Sequence, residues 1–62
     1  MYSVIASYSA VEQGELSIQE RAAIEVLRLG NDGWWYARDV ATNQEGWVPA
    51  SYLEPLTNNN SA

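Results

Sequence analysis

The sequence contains no cysteine, no histidine and no lysine. The lack of cysteine excludes disulfides and thiolate metal sites, and the lack of histidine removes the commonest metal ligand and general base. Serines and threonines alone cannot supply a nucleophile with its base. The carboxylates of Glu12 and Glu15 lie on a polar loop, where nothing would raise a pKa. We therefore expect no enzyme activity, no metal and no cofactor.

Positive charge is also scarce, because eight acidic residues stand against three arginines and give a formal net charge of −5. A phosphate backbone and an anionic membrane surface would be repelled, so we expect no nucleic acid and no membrane insertion. No apolar run approaches the length of a membrane span, and the start of the chain does not resemble a signal peptide. We expect a cytoplasmic location, either free or associated with a membrane or the cytoskeleton through a parent protein.

The aromatic content compensates for the small size of the chain. Its 62 residues are 47% apolar and include three tryptophans and four tyrosines, which bury large areas. We expect one domain over residues 1–56, followed by a disordered polar tail over residues 57–62.

The periodicity favours strands over helices. Apolar and charged side chains alternate over residues 23–29, a turn cluster occupies residues 30–33, and an aromatic strand is expected over residues 34–40. Residues 41–44 close a hairpin onto a strand over residues 45–49. Shorter strands are expected over residues 2–8 and 53–56, with a single turn at residues 51–53. A helix over residues 15–29 is the alternative, but its β-branched residues and missing cap favour a strand.

Five short strands in about 55 residues predict an all-β fold, a small five-stranded antiparallel barrel. Such a barrel has no deep cavity, so function must lie on a surface groove. The expected core consists of Val4, Ala10, Leu16, Ile18, Ile24, Val26, Ala37 and Val48.

Five motifs together resemble an SH3 domain, over roughly residues 3–56. In chain order they are Val-Ile-Ala-Ser-Tyr (4–8), Glu-Leu-Ser-Ile (15–18), Gly-Trp-Trp (33–35), Gly-Trp-Val-Pro (46–49) and Ala-Ser-Tyr-Leu (50–53). The variant resembles SH3 domains carried by adaptors with a PX domain and by some Rho exchange factors. The resemblance implies an SH3-like barrel that binds proline-rich peptides in a scaffold or signalling protein, and we expect the isolated domain to be monomeric.

The resemblance also implies a set of binding residues. A polyproline II ligand is already stiff and needs flat aromatic side chains for its rings and donors for its carbonyls. The corresponding positions are Tyr8, Trp34, Pro49 and Tyr52, with Trp47 beside them. On the long RT loop, Glu15 and Glu12 would hold an arginine or lysine of the ligand. Asp32, by contrast, is expected mainly to form its turn.

Adjacent strand residues point to opposite faces, so Trp34 and Trp35 cannot both lie in the core. We assign Trp34 to the groove and expect Trp35 to pack outward on the sheet or against the hairpin.

The sequence departs from the SH3 pattern in two places, at Ala6 and Ser7 and at Arg21 and Ala22, where the pattern has Tyr-Asp and Gly-Glu. Ala6 replaces a tyrosine that would pair with Tyr52, so the proline pocket there should be shallower and affinity for a plain PxxP peptide lower. Arg21 replaces a glycine in the turn that follows the RT loop, which affects the turn rather than the groove.

Several alternatives use the same aromatic residues. The domain could dock on its own parent chain or on a folded partner that lacks PxxP. A methyl-lysine-reading aromatic cage would rest on cation–π attraction, but the order of the motifs favours the SH3 pattern. An oligonucleotide-binding barrel would need a positive groove, which the sequence lacks.

Overall fold

Alternation of apolar and polar side chains produces five strands, as the computed structural model shows for residues 1–56, the part it describes. The strands are β1 (Tyr2–Val4), β2 (Ala23–Leu29), β3 (Trp34–Asp39), β4 (Glu45–Pro49) and β5 (Leu53–Pro55). They form one antiparallel sheet in the order β4-β3-β2-β1-β5. The expected five-stranded antiparallel fold is confirmed. The predicted tail at residues 57–62 lies outside the described residues.

Short turns connect β2, β3, β4 and β5. The β2–β3 turn ends at Gly33, which has a φ of 88° that glycine adopts without steric cost, and the β3–β4 turn contains Asn43 at a φ of 65°. Asp39 supports the second turn, because its Oδ1 accepts the Ala41 N–H at 3.0 Å. A 3₁₀ turn over Ala50–Tyr52 joins β4 to β5, where a single turn was expected.

The long connection between β1 and β2 is the RT loop, residues 5–22. Tyr8 and Ile18 exchange two backbone hydrogen bonds of 2.9 Å across its stem. The strand expected over residues 2–8 is too long, because regular pairing ends at Val4. Beyond it the chain bends, and the Ser7 hydroxyl accepts the Glu20 N–H at 3.2 Å.

The core is a single cluster drawn from all parts of the sheet and from the RT loop. Its buried side chains are Val4, Leu16, Ile18, Ile24, Ala37, Val48 and Leu53.

One of the expected core positions, Ala10, is wrong, and a second, Val26, lies at the edge of the core. Ala10 is exposed, because it lies on the outward part of the RT loop, where its N–H donates to the Ser17 hydroxyl at 2.9 Å. Val26 packs against the core but is only half-buried, next to a register shift between Val26 and Arg28. Leu53, which was not in the expected list, is buried.

Arg21 has a φ of 75°, a conformation that favours glycine. The turn nevertheless keeps its backbone bonds, since the Arg21 N–H donates to the Val4 carbonyl at 2.8 Å and Ala22 N–H to the Gln19 carbonyl at 3.0 Å. The departure at this position therefore leaves the turn formed but strained.

Within residues 1–56, no helix has the length and apolar character needed to cross a membrane.

Candidate peptide-binding site

Four side chains form an aromatic ridge: Tyr8, Trp34, Pro49 and Tyr52. The Tyr8 ring lies edge-to-face against Trp34, with centroids 5.7 Å apart, and against Tyr52 at 5.8 Å. Pro49 is the cross-strand partner of Trp34 in the β3–β4 pairing. All four side chains are half-buried, so each keeps one surface accessible to a ligand. The structure thus brings together the four residues that the resemblance assigned to the groove.

Neighbouring tryptophans have separate roles. Trp34 lies on the ridge, whereas Trp35 packs against the core and contacts Tyr2 edge-to-face at 5.3 Å. The expectation that the two side chains separate agrees with the structure. Trp35 covers the core beside β1, rather than packing outward on the sheet or against the hairpin.

An acidic hollow of about 610 Å³ adjoins the ridge. Trp34 and Trp47 are its aromatic walls, and Glu15 and Asp32 supply its carboxylates; Gly30 and Asn31 complete the lining. Its opening carries negative charge beside aromatic surface. That combination suits a guanidinium or ammonium group, which can pair with a carboxylate and stack on a ring.

Glu15 is held in place by three donors that converge on its Oε1. The Tyr8 hydroxyl donates at 2.6 Å, the Val11 N–H at 2.8 Å and the Glu12 N–H at 3.3 Å. The Tyr8 hydrogen bond, followed by that from Val11, lowers the pKa of Glu15 below its ordinary value. The carboxylate therefore stays ionised. Because its bonds within residues 1–56 go to Oε1, Oε2 faces no competing donor there.

The same hydrogen bond raises the pKa of Tyr8 to about 12. The hydroxyl stays protonated, and its proton is committed to Glu15. Tyr8 therefore offers a ligand its ring and its oxygen lone pairs, and it links the aromatic ridge to the acidic hollow.

Gly46 allows the RT loop to approach β4 closely. A Cβ at this position would lie 2.9 Å from the Gly14 carbonyl oxygen and 3.0 Å from the Leu16 Cβ. The close approach permits two hydrogen bonds, Trp47 N–H to the Gly14 carbonyl at 2.8 Å and Leu16 N–H to the Trp47 carbonyl at 2.9 Å. Glu15 is thereby placed beside Trp47.

The remaining acids of the site differ from one another. Glu12 is exposed and contributes its backbone N–H to Glu15, but its side chain does not line the acidic hollow. Asp32 does line it, and its Oδ1 also accepts the Trp34 N–H at 3.3 Å, so the turn-forming residue faces the site as well.

Sequence reasoning missed three contributors. Gly30 and Asn31 line the acidic hollow, and no chemical pattern marked them. Tyr36 packs edge-to-face on Trp47 at 5.3 Å. Its position two residues after Trp34 on a strand could have placed it on the same face.

Comparison with known proteins agrees with the fold and the motifs. The family model described as SH3 domain matches residues 3–50. SH3 and PX domain-containing protein 2A of Homo sapiens is 43% identical over 54 residues, covering 86% of this chain and 4% of that protein. Guanine nucleotide exchange factor DBS of Homo sapiens is 38% identical over 52 residues, covering 84% of this chain and 5% of that protein.

A solved structure is also similar. It is the C-terminal SH3 domain of myosin IB from Entamoeba histolytica, bound to an EhFP10(GEF) peptide, with a TM-score of 0.80 and 28% identity over 90% of each chain.

The chain belongs to the SH3 domain family. It is a non-catalytic protein-interaction module, and the expected similarity to PX-domain adaptors and an exchange factor is confirmed. The chain spans only 4–5% of the length of the two curated relatives described above.

Proposed function

We propose that this domain binds proline-rich segments in the polyproline II conformation, with a basic residue next to the proline core. The observation that carries the proposal is the continuity of the aromatic ridge with an ionised carboxylate. Tyr8 contacts Trp34 and Tyr52 through its ring and Glu15 through its hydroxyl. One ligand can therefore lie on the ridge and place a cation in the acidic hollow.

The ridge meets the requirements of a polyproline II ligand. Such a ligand loses little conformational entropy on binding, and its rings need flat apolar surfaces while its carbonyls need donors. Trp34 and Tyr52 each combine a ring with a polar hydrogen, on the indole nitrogen and the phenol oxygen. Pro49 adds apolar surface beside Trp34.

The acidic hollow would set the orientation of the ligand. Glu15 Oε2 can accept a hydrogen bond from an arginine whose guanidinium stacks against Trp34 or Trp47. Asp32 lines the same hollow and adds a second negative charge. The ion pair between Glu15 and the arginine of the ligand is partly exposed, so it contributes about 1 kcal/mol or less to the binding free energy. Its stronger effects are on the association rate and on the register of the ligand.

Calorimetric titration tests this proposal with three peptides of equal length. The first contains PxxP and one arginine beside it, the second has both prolines replaced by alanine, and the third has the arginine replaced by citrulline, its neutral isostere. We expect the first to bind best, the third more weakly and the second not at all. Equal binding of the first two peptides would contradict the proposal.

The second candidate is docking on the parent chain or on a folded partner without PxxP. Ala6 favours it, because this exposed alanine narrows the ring surface at the Tyr52 end of the ridge. The Ile5 N–H donates to the Tyr52 carbonyl at 2.8 Å, which fixes residue 6 at that end.

The parent protein is proposed to be a scaffold or signalling protein that acts in the cytoplasm. Support comes from the relatives, which include SH3 and PX domain-containing proteins, an exchange factor and the Myosin-1 of Pyricularia oryzae, 39% identical over 53 residues. Fractionation of cells expressing the parent protein, with and without this domain, would test the location.

A further inference from the structure

The outer face of β3 and β4 continues beyond the aromatic ridge. Trp34 and Tyr36 project from the same face of β3, and their cross-strand partners on β4 are Pro49 and Trp47. On the other side of Tyr36, its partner on β2 is Arg28. Tyr36, Trp47 and Arg28 together line a cationic hollow of about 340 Å³.

The cationic hollow and the acidic hollow share one lining residue. Trp47 lines both of them, so a chain leaving one passes over its ring into the other. The edge-to-face contact between Tyr36 and Trp47, at 5.3 Å and 70°, gives the boundary a fixed shape.

The two hollows differ in the sign of their charge. Glu15 and Asp32 line the first, whereas no acidic side chain among residues 1–56 lines the second. Arg28 is exposed, and the ion pair within residues 1–56 joins two other residues, Arg38 and Glu25. Arg28 is therefore available to a ligand, in a domain whose net charge of −5 otherwise repels anions.

We propose that the cationic hollow is a second subsite, which binds an aspartate or glutamate side chain of the same peptide. This acidic residue lies next to the basic residue, on the side away from the proline core. Arg28 pairs with its carboxylate through two parallel N–H···O hydrogen bonds, and the stem of the side chain packs on Tyr36 and Trp47. This inference rests on the proposed function, because the acidic hollow must first hold the basic residue.

The opposite charges of the two hollows give the domain a preference for a particular charge pattern in the ligand, which the ridge alone cannot supply. A ligand with a basic residue followed outward by an acidic one matches both hollows. A ligand with two basic residues there would place the second against Arg28. The pair is exposed and screened by salt, so we expect a preference of about two- to fivefold at low ionic strength.

The test uses calorimetric titration of the 62-residue chain with three peptides. All three carry the same PxxP core and arginine, and they differ in having glutamate, glutamine or lysine next to the arginine, on the side away from the proline core. We expect affinity to fall in that order for the unaltered domain. Arg28→Gln should abolish the difference between the glutamate and glutamine peptides, and Arg28→Glu should reverse the order so that lysine is preferred.

Arg21→Gln is the matched control. It removes the same charge from a turn that does not line either hollow, so it should keep the preference for glutamate. A preference lost equally in both variants would reflect net charge alone and would overturn the subsite.

The peptides also separate this inference from the one on which it rests. If the glutamine peptide binds and glutamate adds nothing, the cationic subsite is wrong and the proposed function stands. If the glutamine peptide does not bind at all, both are overturned.

Discussion

The aromatic ridge and the acidic hollow share Trp34 but are built to different degrees of completeness. At the ridge, position 6 is an exposed alanine beside the Tyr52 end, so one wall of the proline pocket is reduced. At the hollow, three hydrogen bonds fix Glu15 and keep it ionised. We infer that ring packing on the ridge supplies most of the affinity, whereas the more completely built hollow sets the preference for a basic residue, and each change below tests that difference.

The largest effect is expected for Trp34→Ala, since this side chain belongs to both regions. Central aromatic residues of interfaces commonly contribute 2 kcal/mol or more, which corresponds to a loss of about 30-fold or greater in affinity. Trp35→Ala is not a control for binding, because Trp35 supports the core. Trp34→Phe is the better comparison, since it keeps a ring and removes the indole N–H. The affinity of Trp34→Phe for an arginine-containing PxxP peptide, measured by calorimetry, should lie between those of the unaltered domain and Trp34→Ala. Unchanged affinity of Trp34→Ala would contradict the proposed site.

Glu15→Gln should reduce affinity for the arginine peptide by about fivefold, the equivalent of about 1 kcal/mol. The amide oxygen can still accept the Tyr8, Val11 and Glu12 donors, so the RT loop should keep its shape. The same substitution should reduce affinity for the citrulline peptide much less. Glu12→Gln is the matched control, because it removes one charge from the same loop outside the hollow. Equal losses from both variants would mean that the loop acts only through its net charge.

Ala6→Tyr should raise affinity for the proline core by about two- to tenfold, because a ring placed beside Tyr52 adds aromatic contact area. Position 6 is exposed, so the larger side chain should be accommodated without moving the core. Ala6→Leu adds apolar area without a ring and should give a smaller gain. If calorimetry shows no gain for the tyrosine variant, the ridge does not extend to this end.

Tyr8→Phe should uncouple the two regions while changing affinity at neutral pH by about twofold or less. The ring contacts with Trp34 and Tyr52 remain, but Glu15 loses its strongest donor, so its pKa should rise toward the ordinary range. A lowered folded-state pKa contributes stability above the ordinary carboxyl pKa and loses it as the pH falls through the folded value. Carboxyl-carbon NMR titration should therefore show Glu15 protonating at higher pH in the variant than in the parent.

At alkaline pH the hydrogen bond between Tyr8 and Glu15 has the opposite effect on the pH dependence of stability. Because the pKa of Tyr8 is raised to about 12, the contribution of its protonated hydroxyl to the free energy of unfolding is complete below pH 10. That contribution is lost as the pH rises through 12. Ultraviolet detection of tyrosinate should show one late-ionising tyrosine that is absent from the phenylalanine variant. An ordinary pKa for every tyrosine would contradict the hydrogen bond.

The last change concerns neither region and affects stability rather than binding. Arg21→Gly should stabilise the domain by about 0.5–1 kcal/mol, since glycine relieves the positive φ but adds freedom to the unfolded chain. Arg21→Ala removes the same charge without relieving the backbone, so the difference in stability between the two variants is the strain relieved minus the entropy that glycine adds to the unfolded chain. Urea unfolding measures both. A glycine variant that is less stable than the alanine variant by about 0.4–1 kcal/mol, the usual entropy cost of glycine, would mean that residue 21 carries no strain.

The strands and most of the core could be predicted from the sequence, because alternation and turn residues are local properties. Ile24, Ala37 and Val48 are fully buried as expected. Ala10 and the end of β1 were wrong, since the path of the RT loop depends on hydrogen bonds between distant residues, such as that from Glu20 to Ser7. Sequence pattern gives little information on such contacts.

The candidate site, like the fold, has one part that could be predicted from the sequence and one part that could not. The ridge residues could be assigned from the SH3 resemblance, and the structure brings them together. Two other features could not be assigned from the sequence: the convergence of three donors on Glu15, and the cationic hollow. Both depend on which loop meets which strand. Gly46 permits that meeting, yet its role is visible only from the distance to Gly14 and Leu16.

The most direct test of the account is an amide NMR titration of isotopically labelled protein with the arginine-containing PxxP peptide. We expect the largest shifts at Tyr8, Glu15, Trp34 and Tyr52, with the Glu15 shifts reduced when citrulline replaces arginine. Shifts confined to residues outside the ridge and the two hollows, such as Tyr2, or no shifts at millimolar peptide, would contradict the proposed binding of proline-rich segments.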